Sequence, residues 1–157
     1  MLLNREWIEA RIPHQGRMCL LDEVMDWNAE RILCRTATHR APDNPLRAHG
    51  RLGIACGIEY AAQAMALHGA LAGGAGIGVV GAPSTAVPQV GLLAGIRGVR
   101  FAVLRLDDIE SDLICEATRL AGDDLTELYE FALRDGERVL ASGRASVVLD
   151  AGGRLNL

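Results

Sequence analysis

From Tyr60 to Ile96 the chain carries no Asp, Glu, Lys or Arg. A run of that length either crosses a membrane or forms the middle of a water-soluble fold. Glycine and proline decide between the two. Gly73, Gly74, Gly76, Gly78 and Gly81, then Pro83 and Pro88, cannot continue one apolar helix. The run therefore divides into a buried helix over 53–71, a flexible glycine loop and the start of a strand. With almost no polar face of its own, such a helix needs cover on nearly every side, which a curved sheet supplies, with a partner subunit over the remainder.

The flanking segments provide the sheet. Residues 20–27 and 31–39 alternate as two strands about the polar turn 28–30, and 39–52 is a polar loop rich in Pro, Asn, Asp and Arg. Further strands are predicted over 89–103, 109–120 and 126–134. Asp135-Gly136, flanked by alternating apolar residues, marks a tight hairpin into a last strand, because that pair tolerates the positive φ of a type I′ turn. The expectation is an α+β fold: an antiparallel sheet wrapped around one long central helix, in a single domain over 1–157.

Composition excludes several functions. A net charge of −4 with 4% aromatic residues gives little for binding nucleic acid. All 16 basic residues are Arg, so lysine nucleophiles and lysine general bases are absent. Cys19, Cys34, Cys56 and Cys115 are far apart in apolar surroundings, and the histidines lack metal-ligand spacing, so buried thiols and no metal are expected. Arg5, Glu6, Glu9 and Arg11 interrupt any leader-like segment, which points to the cytoplasm and away from the membrane. The pattern Gly76-x-Gly78-x-x-Gly81 follows a helix and runs into proline, the reverse of a dinucleotide site; it is better explained as a mobile loop lining a tunnel or as a plain linker.

Glu59 is the one carboxylate in the apolar stretch 49–69. On a helix it shares a face with Ala55, Gln63 and Ala66. A buried carboxyl there stays protonated near neutral pH and can donate to a leaving hydroxyl. The alternative is an acid at the helix start, held by a nearby backbone or by the helix dipole.

"IPHQGRMCLLDEV" (12–24), "GIEYAAQAM" (57–65) and the late strands resemble the hotdog-fold 3-hydroxyacyl-acyl-carrier-protein dehydratases, and are most similar to the branch associated with aryl-polyene-type pigment synthesis. The resemblance implies a homodimer, or a heterodimer with a related hotdog subunit, whose sites lie at the interface. It implies dehydration of a phosphopantetheine-linked 3-hydroxyacyl chain, delivered by an acyl carrier protein, to the trans-2-enoyl thioester, without a cofactor. By that resemblance Glu59 is the acid and His49 the base, although the usual loop around the family's histidine is shortened here. Gln63, Arg51 and the helix-entry residues Gly53 and Ile54 contact the substrate, helix N-terminal amides polarising the thioester carbonyl. The shortened loop also leaves room for a half-catalytic partner subunit, and the same architecture serves acyl thioesterases. His14 is expected to be structural at a strand entrance, His39 to take a surface or turn role, and His68 to be a satisfied helix histidine. Arg97, Arg100 and Arg105, with Arg47 and Arg51, are candidates for a patch that receives an acidic carrier.

Overall fold

The computed structural model describes residues 3–72, 90–123 and 125–150. The glycine loop, its Gly76-x-Gly78-x-x-Gly81 pattern and the expected end of the helix at Gly73 and Gly74 lie outside those residues. The elements are β1 (Leu3–Asn4), α1 (Arg5–Glu9), β2 (Glu23–Trp27), β3 (Arg31–Thr36), α2 (Gly57–Ala72), β4 (Val90–Phe101), β5 (Leu113–Gly122), β6 (Thr126–Asp135) and β7 (Arg138–Asp150). The strands form one antiparallel sheet in the order β1-β2-β3-β5-β6-β7-β4, with β4 at one edge among the described residues.

Alternation along the strands turns one sheet face towards α2. Leu113, Cys115 and Ala117 on β5, and Tyr129, Phe131 and Leu133 on β6, are buried against Tyr60, Ala64, Leu67 and their neighbours. The helix rests chiefly on β5 and β3. Gly57 opens α2 close against the sheet: a Cβ there would come within 2.9 Å of Leu133 Cδ2 and displace that side-chain tip. A tight hairpin forms at Asp135-Gly136 as expected, but Asp135 pairs with Arg138 and the turn is Gly136-Glu137, in which only Gly136 (φ 59°) takes positive φ, so it is not the expected type I′ turn.

Three further features differ from the sequence reading. A short helix, α1, precedes the sheet, started by Asn4, whose side chain accepts from Trp7 N–H. Residues 109–112 are irregular and β5 starts at Leu113, since Ile109 N–H is taken by the Leu106 carbonyl in a turn. The central helix also enters through one 3₁₀ turn over Ile54–Cys56 before its α-helical bonding starts.

Candidate active site

Three pieces of chain converge on the start of α2. The first is the segment 12–22. Leu20 and Leu21 are fully buried, and the Asp22 carboxylate accepts from Ala37 N–H at 2.7 Å and from Arg5 Nη1 at 3.1 Å. Gln63 ties this segment to the helix: its Oε1 accepts from Leu20 N–H at 2.8 Å and its Nε2 donates to the Met18 carbonyl at 2.7 Å. Gln63 is fully buried, with one backbone bond at each end of its amide fixing its position.

One turn earlier on the same side, Glu59 Oε1 stands 3.3 Å from His14 Nε2. Their side chains are 39% and 28% exposed, so this chain by itself shelters the acid only partly. His14 Nδ1 is buried and has no hydrogen-bond partner among the described residues. The histidine that sequence reasoning set aside is thus the one that meets the helix acid. No spacing rule finds it, because the contact joins a loop before β2 to a helix far along the chain.

The second piece is the loop into the helix. Ala48 N–H bonds to the Arg51 carbonyl and Arg51 N–H to the Ala48 carbonyl, closing a two-residue turn in which His49 (φ 53°) and Gly50 (φ 74°) both take positive φ. His49 and Arg51 are exposed, and His49 has no carboxylate at ion-pair distance among the described residues. His-Gly is therefore a turn signal here, and His49 sits at its tip. Ile54 N–H is engaged by the Leu104 carbonyl at 3.0 Å, while the exposed Gly53 N–H has no partner among the described residues. Of the two expected donors, Gly53 is the one open to a ligand.

The third piece is the strut 104–107. Asp107 accepts from Leu52 N–H at 2.9 Å and from Arg105 Nε at 3.0 Å, and the Arg105 hydrogen bond holds its carboxyl well below the usual range. Arg105 is thereby committed to a structural ion pair. The loop 38–46 is fixed by Tyr60, whose hydroxyl meets Thr38 Oγ1 at 2.8 Å and accepts from Asn44 Nδ2 at 3.0 Å; burial pushes its pKa up to about 12. Asn44-Pro45-Leu46 thus anchors the path to the site through Asn44.

The remaining histidines are structural. His39 is fully buried with Nε2 on the Ile109 carbonyl, so it is not at the surface, and His68 has Nδ1 on Tyr129 Oη and Nε2 on the Asn28 carbonyl. Among the described residues no cluster of His, Cys, Asp or Glu is arranged to hold a metal ion, and no helix is long and apolar enough to cross a membrane.

An antiparallel sheet wrapped on one long helix, with an acid at the helix start, defines a hotdog-fold protein. Solved structures agree on the fold. The dehydratase heterocomplex ApeI:P from Xenorhabdus doucetiae superposes with a TM-score of 0.74 at 22% identity, covering 95% of this chain and 94% of that one. A mutant thioesterase from Pseudomonas aeruginosa gives 0.59 at 14% identity, covering 94% of each chain. A hypothetical thioesterase with coenzyme A from Streptococcus pneumoniae gives 0.55 at 8% identity, over 82% of this chain and 84% of that one. No curated protein sequence matches the chain. Residues 7–152 match the ApeP-like family, described as ApeP dehydratase, and the chain belongs to that family.

Proposed function

We propose that this protein dehydrates carrier-bound 3-hydroxyacyl thioesters to trans-2-enoyl thioesters in polyene or type II fatty-acid synthesis, working with a second, related hotdog subunit. The observation that carries the reading is the Glu59–His14 pair at 3.3 Å beside the entry to α2, in a chain of a dehydratase family. Elimination of water needs an α-proton removed and the β-hydroxyl protonated as its C–O bond breaks. Glu59 supplies the proton to the hydroxyl. An imidazole takes the α-proton: His14 stands at the acid, and His49 is the candidate carried over from the family resemblance. The Gly53 N–H, next to the positive end of the helix, is the donor for the thioester carbonyl as negative charge develops on it.

The second subunit is supported by the sheet. Leu93, Ile96 and Phe101 on β4 pair with Val147, Ala145 and Ala141, which face α2, yet each of the three β4 side chains is more than 40% exposed. They stay open to solvent in the single chain and need cover from another molecule. The solved heterocomplex of similar fold is a precedent for such a partner.

Mass spectrometry of a 3-hydroxyacyl-carrier substrate, incubated with the protein alone and with a related hotdog subunit, tests the reading. Loss of one water with the thioester intact supports it. Release of free carrier thiol identifies a thioesterase instead, and activity that appears only with the partner and survives Glu59→Gln identifies a non-catalytic subunit.

A further inference from the structure

On the face of the sheet opposite α2 lies a depression of about 560 Å³. Arg97, Arg100 and Arg144 stand along one side, and the small residues Ala132, Ser142 and Gly143 line it between the arginines and two glutamates. Its shape follows from the register. Arg97 is opposite Arg144 and Arg100 opposite Ser142, and the intervening bulge, with Gly98 at φ 62°, keeps both β4 arginines on the outer face while Ile96 and Phe101 remain on the inner one.

Charge is distributed unevenly across this depression. Glu116 is held by Arg31 at 3.2 Å and by Arg134 at 2.9 Å, and Glu130 lies 3.7 Å from Arg144. Arg97 and Arg100 have no ion pair among the described residues, and both are exposed. Two guanidinium groups placed directly across an antiparallel pair repel each other, so the Arg97–Arg144 position costs stability in the free chain. The overall charge is −4, which makes this cationic edge a local reversal of sign. In the chain, Arg100 precedes the 104–107 strut that bonds to the entrance of α2.

We propose that the Arg97–Arg100–Arg144 edge is a docking surface for an acidic protein face, which on the function proposed above belongs to the acyl carrier. Carboxylates of the incoming protein pair with the guanidinium groups, relieve the Arg97–Arg144 repulsion and orient the carrier towards the helix entrance. The overall negative charge repels acidic proteins elsewhere, so encounter is concentrated at this edge.

Binding of a purified type II holo acyl carrier protein to the two-subunit complex, measured by calorimetry at low and at high salt, is the test. The double variant R97E/R100E should weaken binding at least about tenfold and remove most of its salt dependence, with R11E as a control that leaves both unchanged. R97E alone should not lower the urea midpoint of the free chain, since it replaces a repulsion with an attraction. Unchanged carrier binding in the double variant overturns the inference, as does inorganic phosphate that binds with the same arginine dependence while the carrier does not. Turnover separates this inference from the proposed reaction. The double variant should raise KM for the carrier-linked substrate and leave a short carrier-free thioester unaffected, whereas a wild-type complex that dehydrates neither refutes the reaction and leaves the binding result to decide the docking.

Discussion

Glu59 is legible in the sequence because nothing else in its surroundings is charged; its partner is not, because only the folded chain brings His14 to 3.3 Å from it. If the pair moves the protons, Glu59→Gln should lower kcat by about 10²- to 10⁴-fold, with the unfolding midpoint nearly unchanged because the side chain is 39% exposed. His14→Ala should produce a loss of similar size, while His49→Ala, at an exposed turn tip, should leave kcat within a few-fold of wild type; the reverse order of effects returns the base to His49. His68 and His39 act on stability. Burial lowers both pKa values from the ordinary 6.5, and at His68 the opposing influences of Arg119 and Glu127 are smaller. The unfolded chain therefore takes up protons on these rings before the folded chain does, so stability is full above about pH 6.5 and declines as pH falls through that value. Urea midpoints measured at falling pH should show this decline. It should be smaller in a His68→Gln variant, and a midpoint indifferent to pH from neutrality downwards would refute it.

Secondary structure was more readable than its ties. Alternation identifies β2, β3, β6 and β7, and the uncharged run identifies α2, since period and burial are local properties of sequence. The short α1 and the irregular 109–112 were missed because each depends on a few specific hydrogen bonds, the Asn4 cap and the Leu106–Ile109 turn. Gln63 illustrates the same limit at the site. Its place one turn after Glu59 suggests a substrate contact, yet the fold employs its amide to fasten segment 12–22 to α2. Gln63→Leu would leave the buried Leu20 N–H and the part-buried Met18 carbonyl without these partners, at a cost of about 1–3 kcal/mol for the first and less for the second. Chemical denaturation of that variant should show a clear drop in stability, together with lower activity as the His14 loop loosens. A variant as stable as wild type would mean that the tie contributes nothing and would free Gln63 for substrate.

The central helix is too apolar for one small sheet to satisfy, and the molecule shows where the remainder is exposed. Ile58, Ala62, Ala66 and Gly69 form a half-buried stripe along α2, and Leu93, Ile96 and Phe101 continue the apolar face on the edge strand β4. On the proposed function, a second hotdog subunit covers both with its own apolar surface. A charge placed on that face should separate the subunits without unfolding either, because Ile96 is 42% exposed in the single chain. Ile96→Asp should therefore run as a monomer in sedimentation velocity where wild type with its partner runs as a two-chain species. It should also retain the far-ultraviolet circular dichroism of the wild type and lose dehydration activity in step with assembly. If Ile96→Asp still assembles fully, β4 is not the contact. If it dissociates but remains active, the site is complete within one chain, and the need for a second subunit in the reaction falls.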